Sequence, residues 1–142
     1  MQVMEERRRN NYMTTGMATQ RVLVVDDNRD SATSLALLMK YLGHTVETAF
    51  DGPAALATAA KFNPAIVLLD IGLPGLNGYD VARSLRQDPL LKNVVLIAQT
   101  GWGQEEDRRK SREAGFDGHL VKPVDFNVLL DLISTSLVAR SR

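Results

Sequence analysis

The run Pro64-Ala65-Ile66-Val67-Leu68-Leu69-Asp70-Ile71-Gly72-Leu73-Pro74 constrains this chain more than any other stretch. Its apolar residues are continuous rather than alternating, and a Gly- and Pro-rich turn follows at once. That pattern reads as a strand covered on both faces, hence a central strand of a parallel α/β sheet. Asp70 then falls at the carboxyl end of the strand, the edge where open α/β sheets place their ligand sites.

The other segments supply the rest of such a sheet. Arg21-Val22-Leu23-Val24-Val25-Asp26 is a second β-branched run, Thr45–Ala49 a short third, Asn93–Ala98 a fourth and Gly118–Val121 a fifth. Between them lie helical patterns. Leu35, Leu38, Met39 and Leu42 recur at helical spacing before Gly43, and Gly52-Pro53 opens an Ala-rich helix that reaches Phe62. Asn77 caps a helix carrying Val81, Ala82 and Leu85, and Asp125 caps a last helix with a stripe of Phe126, Leu129, Leu130, Ile133 and Leu137. Val128 and Leu132 widen that apolar surface, either to complete the core or to form a docking contact. Gln104–Glu113 has no apolar residue and predicts a surface helix held by pairs such as Glu105–Arg109 and Glu106–Lys110, weakly anchored and early to exchange its amide hydrogens.

Strands alternating with helices imply a flavodoxin-like (βα)5 fold: a doubly wound parallel sheet in the order 2-1-3-4-5, helices on both faces and right-handed crossovers. The chain's 142 residues leave no length for a second domain beside it. The expected division is a tail over 1–20, one domain over 21–139 and a short tail over 140–142. A disordered tail, an overlong start or the end of an upstream helix would each suit residues 1–20. No output domain is expected after the last helix.

Composition excludes several functions. There are no cysteines, so disulfides, thiolate metal sites and Cys nucleophiles are out. Formal net charge is zero, and Arg7-Arg8-Arg9 is too short for a nucleic-acid footprint. No apolar run approaches the roughly 20 residues of a membrane span. A cytoplasmic protein that binds neither nucleic acid nor membrane is expected.

Parallel strands bring their carboxyl ends to one edge. There the sequence places Asp26 and Asp27, Asp70, Thr100 and Lys122. In the order 2-1-3-4-5 the first and third strands are neighbours, so three carboxylates converge and call for a cation. All-oxygen ligands suit Mg²⁺ or Mn²⁺. With the Lys122 ammonium and the Thr100 hydroxyl, this is equipment for phosphoryl transfer onto Asp70.

Val24-Val25-Asp26-Asp27-Asn28, Leu68-Leu69-Asp70-Ile71-Gly72-Leu73-Pro74-Gly75-Leu76-Asn77-Gly78, Thr100-Gly101 and Lys122-Pro123 together resemble the CheY-like receiver domain of two-component response regulators. The likeness runs from Arg21 to Val138. Thr100–Gln104 and Ala114–Asp125 look most like receivers of hybrid sensor histidine kinases. The resemblance implies that Asp70 takes a phosphoryl group from a phosphohistidine on a histidine kinase or histidine phosphotransfer protein. It implies a metal held directly by Asp27, mostly through water by Asp26, by an Asp70 oxygen and by the backbone carbonyl of Gly72. Thr100 would swing toward the phosphoryl group, Lys122 would pair with it, and the Lys122-Pro123 bond would be cis.

His119 occupies a position that is commonly Tyr or Phe in the family; its imidazole could still move between inward and outward rotamers, and no metal or catalytic role is expected of it. A downstream protein, or a second copy in a homodimer, would dock on the face of helix four, strand five and helix five. Gly72 and Trp102, two residues after the Asp and the Thr, imply slow loss of the phosphoryl group. His44, just past a helix end, is expected at the surface. Two rivals are a haloacid dehalogenase-type phosphatase, for which Asp26-Asp27-Asn28 lacks the D-x-D spacing, and a docking module that is never phosphorylated.

Overall fold

The computed structural model describes residues 18–101 and 105–141, with side chains in the second segment from Arg108 onward. The expectations for residues 1–17, for Trp102 and for the pairs made by Glu105 and Glu106 lie outside what is described. The elements alternate throughout: β1 (Arg21–Val25), α1 (Arg29–Tyr41), β2 (Thr45–Ala49), α2 (Gly52–Phe62), β3 (Ile66–Asp70), α3 (Gly78–Gln87), β4 (Val95–Thr100), α4 (Glu105–Ala114), β5 (Gly118–Val121) and α5 (Phe126–Arg140). All strand pairings are parallel and the sheet order is β2-β1-β3-β4-β5, as the alternation and the apolar runs predict.

Every residue of β3 is buried, which is why its sequence shows no polar alternation. Ile66 and Leu68 join the core beneath α1 and α5, while Val67 and Leu69 join the core beneath α2 and α3. Side chains after β1, β2, β3 and β5 capture the helices that follow. Asn28, Asp51, Asn77 and Asp125 each accept from a backbone N–H in the first turn that follows. Gly78 must be glycine for a packing reason: a Cβ there would lie 2.6 Å from the Asp70 carbonyl oxygen. The start of α3 is thereby pressed against the end of β3, which fixes the loop after Asp70.

Two local expectations need correction, the start of β4 and the place of Phe126. Pairing in β4 begins at Val95 rather than Asn93, because Val94 N–H turns back to the Leu91 carbonyl and Arg86 Nη1 holds the carbonyls of Lys92 and Val94. On α1 the sheet is met by Ala32, Ala36 and Met39, while Leu35 and Leu38 are only half-buried. Phe126 belongs less to the α5 stripe than Leu129, Leu130 and Ile133, since it remains 37% exposed. Leu132 packs on the core, and Val128 stays at the surface.

His44 is buried rather than exposed. The backbone N–H of Gln20 donates to its Nδ1 at 3.0 Å, so the proton of the neutral ring sits on Nε2, which is buried without a partner. Burial lowers its pKa from the ordinary value of 6.5. The unfolded chain therefore takes up a proton at higher pH than the folded one, and this contribution to stability is present above 6.5 and lost as pH falls below it. Thermal melts from pH 7.5 to pH 5 should show a steeper loss of Tm in the wild type than in His44→Gln; parallel curves would contradict this.

Candidate phosphoacceptor site

The carboxyl edge of the sheet brings the polar strand ends together as the register requires. Asp70 pairs with Gln99, Thr100 with Val121, and β1 ends beside β3 at Val25 and Leu69. One carboxylate oxygen from each of Asp26, Asp27 and Asp70 lies within 4.8 Å of the other two. Asp26 and Asp70 are buried and Asp27 is exposed, so the cluster opens to solvent on one side.

Each buried carboxylate is held from two directions. Asp26 Oδ1 accepts the Asn28 N–H at 2.9 Å, and Asp70 Oδ1 accepts the Gly72 N–H at 2.8 Å. Lys122 Nζ then bridges the pair, donating to Asp26 Oδ2 at 2.9 Å and Asp70 Oδ2 at 3.0 Å. The Lys122-Pro123 peptide is cis. The Lys122 N–H donates to the Thr100 carbonyl at 2.8 Å, which ties the loop to the end of β4. Thr100 is buried one residue beyond the register partner of Asp70.

The electrostatics follow from this packing. Burial pushes the Asp70 carboxyl up, the Gly72 and Lys122 donors pull it back, and the Asp26 charge adds to the rise; the net shift is upward. Burial also works against the Lys122 ammonium, but its hydrogen bonds to Asp26 and Asp70 outweigh that and raise its pKa. A site with three carboxylates and one ammonium stays short of positive charge. Its donors are hard oxygens, which fit Mg²⁺ or Mn²⁺ better than softer metals.

His119 lies on β5, one strand away from Asp70's neighbour β4, and its Nδ1 is 3.2 Å from Ser111 Oγ of α4. Sequence reasoning missed that contact because Ser111 looks like one more polar residue on a polar helix. It is in fact buried, as is Ala114, so α4 does have an inner face. Reasoning from sequence also missed Gln99, buried at the site's edge with an Nε2 that has no partner. An amide interrupting the apolar run of β4 was the available signal.

Residues 22–134 match the response regulator receiver domain. The chain belongs to that family. It is 38% identical to the response regulator PleD of Caulobacter vibrioides over 105 residues, which are 74% of this chain and 23% of PleD. It is 35% identical to the protein PilH of Pseudomonas aeruginosa over 117 residues, covering 82% of this chain and 97% of PilH. The chemotaxis protein CheY4 of Vibrio cholerae superposes with a TM-score of 0.79 at 28% identity, covering 84% of this chain and 99% of CheY4. The chain thus spans about a quarter of PleD but nearly all of PilH. It is a receiver domain of two-component signalling with the CheY-like fold, and these matches do not support the phosphatase reading.

Removing Lys122 leaves two neighbouring buried carboxylates without their shared donor. Lys122→Met should cost about 2 kcal/mol of unfolding free energy in chelator, and Mg²⁺ should restore part of it. Asp70→Asn should melt no lower than wild type in chelator at pH 7, because the ionised carboxyl is disfavoured there, and should gain less from Mg²⁺. Equal Mg²⁺ gains in wild type and Asp70→Asn would rule out Asp70 as a ligand.

Proposed function

We propose that Asp70 is the phosphoacceptor of this receiver domain, and the observation that carries the proposal is the Lys122 ammonium bridging Asp26 and Asp70 inside the three-carboxylate cluster. Asp26, Asp27, Asp70 and the backbone carbonyl of Gly72 would hold Mg²⁺, with Mn²⁺ as a substitute. The metal supplies positive charge to the phosphoryl oxygens and keeps the Asp70 carboxyl ionised. An Asp70 oxygen donates its electron pair to phosphorus as the bond to the donor histidine nitrogen breaks, and that nitrogen leaves with the bonding pair. Lys122, already 3.0 Å from Asp70, stays as the cation facing the new phosphoryl group. Thr100 donates its hydroxyl to that group, and His119 follows the movement through its contact with Ser111.

The chain on this reading promotes only its own phosphorylation and dephosphorylation. Its donor is a histidine kinase or histidine phosphotransfer protein, and its motifs suit the receiver of a hybrid kinase. Its output is a protein contact, or a homodimer, on the α4–β5–α5 face; nucleic acid and membrane are not partners. Among the described residues no helix is long and apolar enough to cross a membrane. The working unit is the receiver domain over residues 21–139, acting in the cytoplasm.

Incubation with Mg²⁺ and acetyl phosphate, followed by intact mass measurement, should give one phosphoryl adduct that is absent in Asp70→Asn and in excess chelator. No adduct under any condition would favour a constitutive docking module, and turnover of phosphate esters would favour a phosphatase. Gly72 has no side chain to position an attacking water, so the adduct should decay slowly after donor removal. A half-life of seconds would oppose that point alone.

A further inference from the structure

Against the carboxylate cluster, and sharing Asp26 and Lys122 with it, lies a cavity of ≈ 720 Å³ between α1 and the loop from β5 to α5. Neither Asp70 nor Asp27 lines it. Its walls are Leu35 and Leu38 on one side and Val124 and Phe126 on the other. That opening explains why Leu35 and Leu38 are only half-buried and why Phe126 remains 37% exposed. A cavity of this size, mostly apolar with a few polar groups, has the dimensions of a small-molecule site.

The polar groups say what the molecule would carry. Gln99 lines the cavity, is 3% exposed, and has an Nε2 without a hydrogen-bond partner. A buried amide donor left unsatisfied costs about 1–3 kcal/mol. A turn of its last side-chain torsion would bring the NH₂ group to an acceptor in the cavity. At the mouth stand Ser34 and Asp30, both exposed, and Asp30 has no ion-pair partner among the described residues. The neighbouring cation Arg29 is turned away and stacks on the Phe50 ring at 4.2 Å. Lys122, the only cation among the described residues that line the cavity, is already shared by two carboxylates. The lining therefore carries two carboxylates against one ammonium.

We infer that this cavity binds a small amphipathic cation: an ammonium at Asp30, an apolar body between Leu38 and Phe126, and a carbonyl-type acceptor at Gln99. Bound there, the molecule would rest on the Pro123–Phe126 loop that carries Lys122, and so beside the phosphoacceptor without occupying it.

The test is a ¹H–¹⁵N NMR titration of the full chain at saturating Mg²⁺, which fills the carboxylate cluster. The probes are N-(4-aminobutyl)benzamide, its carboxylate counterpart 5-benzamidopentanoate, and 4-phenylbutylamine, which lacks the carbonyl. The aminobutyl benzamide should give saturable shifts at Leu35, Leu38, Val124 and the Gln99 side-chain NH₂, and the carboxylate should not. Asp30→Asn should weaken it about two- to fivefold, the range of an exposed ion pair. Gln99→Leu should weaken the benzamide but leave 4-phenylbutylamine unchanged, and Leu38→Trp should abolish both. Absence of saturable shifts, equal binding of the carboxylate, or binding unchanged in Leu38→Trp would each overturn the inference. None of these outcomes depends on whether Asp70 is phosphorylated, which the adduct measurement decides separately.

Discussion

One ammonium sets the geometry of the functional edge. Lys122 Nζ reaches Asp26 at the end of β1 and Asp70 at the end of β3, while its own backbone N–H holds Thr100 at the end of β4. Four segments far apart in sequence are thus referred to one side chain. Two buried carboxylates this close could not both stay charged in an apolar setting without such a partner. The same arrangement leaves the site short of positive charge, with Asp27 exposed beside it. On the proposed function, a metal ion would fill that deficit and a phosphoryl group would then meet both cations. Stability and reactivity at this edge come from the same imbalance.

The opposite edge is built for permanence. Arg86 of α3 donates to the carbonyls of Gly115, Lys92 and Val94 and to Asp117, and Asp117 also takes Arg140 of α5 and the Leu96 N–H. Here donors and acceptors are matched and no carboxylate is left over. A planar guanidinium suits that task because it satisfies several fixed carbonyls at once. The fold thus concentrates complete hydrogen bonding at the amino edge of the sheet and unfinished charge at the carboxyl edge, where ligands bind in parallel sheets.

Much of this was legible in the sequence because burial leaves a strong mark. The unbroken run before Asp70 announced a strand covered on both faces, and the caps Asn77 and Asp125 announced helix starts that the hydrogen bonds bear out. Strand order placed Asp26, Asp27 and Asp70 together, which their distances match. What escaped were properties set by tertiary neighbours rather than by pattern. His44 looked like a surface residue after a helix, yet β1 begins across it and buries it against the Gln20 N–H. Leu35 and Leu38 share the helical spacing of Met39, yet Ala32, Ala36 and Met39 are the residues of α1 that are buried beneath it, and the two leucines pack at the core's edge and line a cavity. The Arg86–Asp117 network had no sequence signature, since its acceptors are mainly backbone carbonyls.

The same distinction bears on α4, the polar helix beside β5. Its C-terminal half is fixed: Ser111 and Ala114 are buried, Ser111 meets His119, and Arg86 holds the Gly115 carbonyl with two donors. The exposed ion pair Arg109–Glu113, at 3.8 Å, adds little to that. One serine, one alanine and a guanidinium that belongs to another helix thus anchor this end. A displacement of His119 acts on the serine contact first. The Arg86 contact lies at the far edge of the sheet and does not share a side chain with the site. The C-terminal end of α4 is therefore tied from two sides, to β5 through Ser111 and to α3 through Arg86.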